Sequence, residues 1–415
     1  MASDDWGGGD GGGSSWDSGG STGGDSYSET SSEGWLSRVG KAIMAIPIGL
    51  LLFVISFVVL FWNEGRAVHT AQGLAEGKSS VVSIESDKVD PANETKLVHV
   101  TGKATTNDIL KDPQLGVSEP GAIRLRRLVR MYQWIETSET KTRKKLGGGE
   151  EKETIYKYHQ GWSDQKLDSS KFKVSEGHEN PGNWPLTTWN GDAQTVTVGA
   201  FKLSDSLIQQ LSGFGPLLLM PKDYDALSDE VKSTAKLNNG LLFRGDDPAH
   251  PQVGDMTIAF EVVRPQPVAL LAKQAGNSFA PYLTGAGTTI DRLQPGNPSA
   301  EEMFQDAEAE NNAMTWILRL VGFILMAVGI AMVLSPLSVL ADVVPFIGNI
   351  VGFGTGFIAI GVALVLSLVT IAIGWIVYRP IIGVAILAVA GLILFLFVKL
   401  ARDRRSARMP GSSIA

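Results

Sequence analysis

Residues 42–62 read AIMAIPIGLLLFVISFVVLFW without a single charge, and from Met314 to Leu400 the chain is again almost wholly apolar. An α-helix needs about 20 apolar residues to cross the hydrocarbon core, because lipid offers no partner to a backbone N–H or C=O. Buried helices of soluble proteins are usually shorter and keep a polar stripe. The two blocks therefore predict an integral membrane protein with a large water-soluble insert between them. Forty-one residues precede the first block and no A-x-A site follows it, so it reads as a retained anchor and not as a cleaved signal.

The formal net charge of −7 belongs to one end of the chain. Asp4, Asp5, Asp10, Asp17, Asp25, Glu29 and Glu33 all precede the first base, Arg38, and the rest is balanced. A balanced insert gives no case for nucleic acid as a partner. The absence of cysteine removes disulfides, thiolate nucleophiles and cysteine metal sites together. Residues 1–41 read as a disordered Gly/Ser/Asp-rich cytoplasmic tail, too poor in apolar side chains to offset the entropy of ordering. Within it Trp6, Trp16 and Trp35 are either short contacts for a partner or part of a solvating linker.

Residues 63–298 form the insert. Its first stretch, NEGRAVHTAQGLAEGKS, suits a helix leaving the membrane. Gly73 and Gly77 enclose three residues where a phosphate loop needs four, which rejects that motif. From Leu97 the period becomes two. Ile123, Leu125, Val129, Met131 and Ile135 share one parity and Arg124, Arg126 and Arg130 the other, the pattern of a strand with one buried face. Segments 96–105, 154–163, 195–201, 254–263 and 267–275 also read as strands between Gly, Pro, Asn and Asp punctuation. Residues 204–211, opened by Ser204 as N-cap, read as a short helix. The charged run 141–153, with its central Gly triplet, reads as a hairpin loop or a mobile excursion. The insert is expected to be a β-rich α+β domain.

Ser299 and Glu302 make a capping box behind Pro298, predicting a long helix over 299–335 that enters the bilayer near Met314. Trp316 and Arg319 fit its boundary, the ring at headgroup level and the guanidinium snorkelling outward. Residues 336–355 carry Asp342 and Pro345 and read as a re-entrant or interfacial segment, since a charge near the bilayer centre is costly. Spans follow at 356–378 and 379–400, then a basic cytoplasmic tail, 401–415. The fold class expected is a multi-pass α-helical membrane protein with four spans and a large β-rich extracytoplasmic domain between spans 1 and 2. The bases Lys399, Arg402, Arg404, Arg405 and Arg408 place the C-terminus in the cytosol.

No HExxH, GxSxG, phosphate loop or dinucleotide fingerprint occurs, so no enzyme class, metal or cofactor is indicated. His178, Glu179, Asp246, Asp247, His250 and Asp255 are the best acid–base or metal candidates, but no two share a strand face or helix turn and surface or turn roles explain each. Arg124, Arg126 and Arg130 are candidates to grip lipid phosphates or a carboxylate-bearing partner, or else they pair across the sheet. Gly348, Gly352 and Gly356, at spacing four, are candidates for close helix packing, within the bundle or between copies.

Several segments together resemble one family, the transmembrane protein 43 or LUMA family. They are NEGRA at 63–67, LAEG at 74–77, LVHV at 97–100, DPQLGV at 112–117, LRRLVRMYQWIE at 125–136, GHENP at 177–181, PQVGD at 251–255, SAEEMF at 299–304 and GWIVYRP at 374–380. They fall in the family's order over about residues 35–400. The resemblance implies one N-terminal span, a large lumenal domain and a C-terminal membrane cluster with both termini cytosolic or nucleoplasmic. It implies a self-associating scaffold of the endoplasmic reticulum and inner nuclear membrane in animals, with emerin and lamins as partners, and no catalytic residues. The Gly/Ser/Asp tail and the Gly triplet depart from the animal pattern and suit a bacterial member, with an inner-membrane location and a periplasmic domain.

The function expected is a non-enzymatic membrane scaffold whose partners are membrane lipids, other copies of itself and other membrane proteins. The alternatives are an extracytoplasmic lipid-binding or lipid-modifying protein acting through the arginine face, and a channel or transporter subunit using Asp342.

Overall fold

A computed structural model describes residues 25–380. The first 24 residues of the expected tail, the body of the expected span at 379–400 and the basic tail at 401–415 lie outside the described residues. The architecture is carried by β1 (Ser26–Glu33), α1 (Trp35–Ser80), β2 (Leu97–Thr105), β3 (Arg124–Lys144), β4 (Glu150–Ser163), β5 (Met256–Val263), β6 (Gln266–Ala275), α2 (Ala300–Ala341) and α3 (Pro345–Tyr378).

Three helical stretches, Trp35–Ser80, Ala300–Ala341 and Gly348–Tyr378, are long and apolar enough to cross a membrane, and the β-rich domain lies between the first two. Helices α1 and α2 pack antiparallel because small residues remove the side chains that would hold them apart. A Cβ at Gly49 would lie 2.7 Å from the Gly329 carbonyl oxygen, and one at Gly322 would lie 2.5 Å from Leu60. These glycines close the bundle. Of those expected from the sequence, Gly348 and Gly352 do sit against α2, at Asp342 and Ser338, while Gly356 faces open space. The capping box forms as expected, with Ser299 N donating to Glu302 Oε2 at 2.7 Å and Glu302 N donating to Ser299 Oγ at 3.3 Å.

Among the described residues the domain has two large sheets and two small two-stranded ones. In one of the large sheets, β3 is central. It pairs antiparallel with β5 from Val263 opposite Arg124 to Met256 opposite Met131, then with β4 from Ser163 opposite Met131 to Glu150 opposite Lys144. Its inward parity feeds a core of Leu125, Val129, Met131, Ile258, Phe260 and Val262. In the other sheet β6 pairs antiparallel with β2, Gln266 opposite Ala104 through Lys273 opposite Leu97. The run Val268–Ala272 is buried on both faces. One face meets Phe201, Leu207 and Ile208, the last two from the short helix Asp205–Gln210. The other carries Ala269 and Leu271 onto Leu74 of α1 and Met303, Phe304 and Ala307 of α2. The two long helices thus leave the bundle as a paired stalk that becomes part of the domain's core. At Ser204 the expected N-cap bond is not made, and its Oγ lies 3.0 Å from Ser206 Oγ.

Three boundaries differ from the sequence reading. Residues 26–33 are a strand and not tail, because β4 supplies the ladder, Ser26 opposite Lys157 through Glu33 opposite Glu150, that so polar a segment cannot supply for itself. The charged run 141–153 is mostly strand, since Lys141, Arg143 and Lys144 face Glu153, Glu151 and Glu150 across the hairpin. Its turn is confined to Lys145–Gly149, with Gly147 and Gly148 at φ +87° and +80°. Beyond the core, β3 and β4 form a long polar arm with β1 on its edge. Finally, the segment 336–355 is divided between the end of α2, which continues through Pro336, and the start of α3.

Candidate functional site

The three helices meet at a polar clamp built from the first residues after the apolar run of α1. Asn63 and Glu64 are fully packed, Glu64 being 2 % exposed. Arg319 of α2 reaches Glu64 with both arms of its guanidinium, Nε donating to Oε1 at 2.7 Å and an Nη to Oε2 at 2.9 Å. Trp375 of α3 donates its indole N–H to Glu64 Oε2 at 2.8 Å. The guanidinium lies 4.8 Å from the Trp316 ring, so the cation rests on a π face as well. One carboxylate therefore holds two other helices. A bidentate pair out of water is worth keeping only when its remaining lone pairs are satisfied, and the indole satisfies one. The outward snorkelling expected of Arg319 does not occur, because an unpartnered buried Glu64 attracts it more strongly than the interface does.

Two residues further along α1, Arg66 donates to Asn311 Oδ1 at 2.9 Å and Thr315 Oγ1 at 3.0 Å. Asn63 Nδ2 donates to the Thr315 carbonyl and Asn311 Nδ2 to the Ala67 carbonyl, each at 3.0 Å. Gly65 and Gly374 make room: a Cβ at Gly65 would lie 2.7 Å from the Tyr378 ring and one at Gly374 2.9 Å from Glu64. The arrangement fixes helix register and depth.

A second polar cluster closes the other end of the bundle. Asp342, 1 % exposed, ends α2 and takes Arg38 of α1 at 2.6 Å and Lys144 of the arm at 2.7 Å. Trp35 donates its indole N–H to the Val339 carbonyl at 2.9 Å, and Gly147 N donates to the Val343 carbonyl at 3.1 Å. Asp342 thus faces two cations, one from α1 and one from the arm.

A family model described as Transmembrane protein 43 matches residues 131–380, which include Asn311, Thr315, Arg319, Asp342 and Trp375. Transmembrane protein 43 of Rattus norvegicus is 36 % identical over 358 residues, covering 84 % of this chain and 88 % of the rat protein. The chain belongs to the Transmembrane protein 43 family. The Homo sapiens protein is 35 % identical over 364 residues, 85 % of this chain and 89 % of its own length. The Transmembrane protein 43 homolog of Drosophila melanogaster is 28 % identical over 350 residues, 82 % and 90 % of the two chains. No solved structure matches. The resemblance read from the sequence motifs is therefore shown.

In this family member the expected arginine face is largely spoken for. Arg124 Nε donates to Asp192 at 2.8 Å, and an Nη donates to the Gln209 carbonyl at 2.8 Å. Arg126 pairs with Glu261 and lies 4.1 Å over the Phe214 ring. Arg130 is exposed. Arg127, at the inward parity, was passed over in the sequence. It is 1 % exposed, pairs with buried Asp112 at 2.8 Å and donates to the Thr187 carbonyl at 3.0 Å. An arginine interrupting an apolar parity is the signal that would have found it.

Of the acid–base candidates, His250 and Asp247 meet each other but do not join His178 in one site. His178 stacks on Tyr158 at 4.0 Å and meets Asp25 at 3.1 Å, whereas His250 pairs with Asp247 on the surface. Tyr158 donates to Glu136 at 2.8 Å, and burial, helped by that carboxylate, pushes its hydroxyl up to about 12. It therefore stays a donor. Among the described residues no group of three or more His, Asp or Glu is placed to hold a metal.

Proposed function

We propose that this family member is a non-enzymatic integral membrane scaffold that self-associates and organises other membrane proteins. The observation that supports it most is the clamp: Glu64, Arg319 and Trp375 tie three helices at the point where the α1–α2 stalk leaves the bundle. The stalk then enters the domain's core at Leu74, Met303 and Phe304. A load on the domain is thereby carried to the bundle without a hinge. Exposed apolar side chains such as Phe346, Phe353 and Phe357 on α3 offer lipid or a second copy a continuous surface. The lipid-gripping alternative loses two of its three guanidiniums to Asp192 and Glu261. The channel alternative loses the free charge of Asp342 to Arg38.

The test is the mass of the full-length protein in mild detergent and in lipid nanodiscs, with co-isolated proteins identified. A defined oligomer retaining specific membrane proteins is expected. A monomer in both media that retains a single lipid class overturns the scaffold reading.

A further inference from the structure

Strand β1 ends at Glu33 and α1 begins at Trp35, so the chain passes from β1 to the domain only through the apolar run 42–62. When α1 crosses a bilayer, β1 and β4 lie on opposite sides of it, and the outer edge of β4 keeps a row of backbone N–H and C=O groups in need of a strand. What β1 does on that edge shows the chemistry the edge accepts. We propose that this edge, at residues 154–158 with Lys173 and His178 beside it, docks an extended acidic segment of a partner protein, which adds a strand and brings two carboxylates four residues apart to those two side chains.

The backbone of β4 is already set for strand addition. Tyr158 N donates to the Asp25 carbonyl at 2.9 Å, and an antiparallel ladder follows from Ser26 opposite Lys157 to Glu29 opposite Thr154. Beside the edge stands a fixed imidazole. His178 is 6 % exposed, its Nδ1 donates to the Val174 carbonyl at 3.0 Å, the Tyr158 ring stacks on it at 4.0 Å, and Trp134 meets it at 4.7 Å. These contacts aim Nε2 at the edge, where it lies 3.1 Å from the Asp25 carboxylate. Further along, Lys173 Nζ lies 2.7 Å from Glu29. Asp25, Tyr27 and Glu29 alternate onto one face of the strand, so the two carboxylates stand about 13 Å apart. The Tyr27 ring between them lies 6.3 Å from that of Tyr156. The pattern that fits is a carboxylate, an aromatic ring and a second carboxylate at alternate positions. A second copy of this chain has no β1 to offer, because its own α1 holds that strand across the bilayer. A lipid headgroup matches the cations but not the row of backbone groups. The inference deepens the scaffold reading and rests on it in taking the domain to bind other proteins.

The test uses the full-length protein in lipid nanodiscs, which leave both faces of the bilayer accessible, and a fluorescent peptide with the sequence of residues 25–33, DSYSETSSE. Fluorescence anisotropy is expected to show saturable binding that empty nanodiscs and a peptide of scrambled sequence do not share. Lys173→Glu, at an exposed position, should weaken binding about threefold or more, and a peptide carrying Glu29→Lys should recover the loss on that variant. His178→Gln should weaken the original peptide and leave one carrying Asp25→Asn unaffected. No saturable binding, equal binding of the scrambled peptide or of empty nanodiscs, or indifference to the Lys173→Glu and Glu29→Lys exchange overturns the docking site. Oligomer mass and co-isolated proteins are read separately, so a defined oligomer that ignores the peptide overturns the edge and leaves the scaffold reading standing.

Discussion

Removing the Glu64 carboxylate leaves Arg319, only 14 % exposed, and the Trp375 N–H without their acceptor. Losing one partner of a buried ion pair costs about 3–5 kcal/mol, because the other charge stays where water cannot reach it. Glu64→Ala is therefore expected to lower the unfolding midpoint of the helical signal in detergent sharply, and Glu64→Leu with Arg319→Met to restore most of it. Equal losses in the single and double variants would show that packing and not charge is at stake. Gly65→Ala makes a second case. Its Cβ meets the Tyr378 ring, so it should destabilise the bundle, and Tyr378→Ala should partly rescue it. The sequence displayed Glu64 and Arg319, each beside an apolar run, but hydropathy placed Arg319 at the boundary and Glu64 only in a helix leaving the membrane. Their pairing depends on which faces α1 and α2 present to each other.

Among the elements, β2 carries the clearest dependence on pH. His99 is buried between β6 and the loop before α2, with Nε2 3.1 Å from the Pro298 carbonyl and Nδ1 3.4 Å from Ser83 Oγ. Burial lowers its pKa, the Pro298 carbonyl partly opposing the shift. The fold thus prefers the neutral ring. The unfolded chain takes up the proton at about pH 6.5, so stability is full above that pH and falls as pH drops through it toward the lowered folded value. Thermal unfolding followed from neutral to mildly acidic pH should show this slope, and His99→Gln should flatten it. An unchanged slope would assign the proton to another group. The strands themselves were legible, since parity over β3 and the double-sided apolar run of β6 are local signals. Strand β1 was not, because Ser, Thr and Glu at alternating positions gain a strand only from the partner β4.

For the whole molecule the question is how the arm coexists with a bilayer. The 46 residues of α1 span about 69 Å, and the fourteen ladder positions from Met131 to Lys144 span about 46 Å. The arm thus runs from the domain to Arg38 past the level of the apolar run 42–62. Thr137, Glu139, Lys141 and Arg143 stand along it, and hydrocarbon can solvate neither these nor the open strand edges. Lipid and the arm exclude each other on that flank. The ion pair of Arg38 with Asp342 joins two groups at the same end of the bundle and is kept when α1 crosses, whereas Lys144 and the β1–β4 ladder must be given up. We therefore predict that a membrane-impermeant maleimide labels Leu146→Cys from the domain's side and Ser28→Cys from the opposite side. Labelling of both from one side would mean that the β1–β4 pairing persists in membranes and that α1 does not cross.

The sequence by itself determined the apolar runs, the β-rich insert and the capped start of α2, because each is written in periodicity or composition over neighbouring residues, and its ordered motifs carried the resemblance to the family. The tertiary structure decided which charges meet. Glu64 with Arg319, Asp112 with Arg127, and Asp342 with Arg38 are pairings set by helix faces and strand register. A lone charge in an apolar neighbourhood reports only that it needs a partner, and the partner's identity exists only once the chain has brought distant segments within about 3 Å of each other.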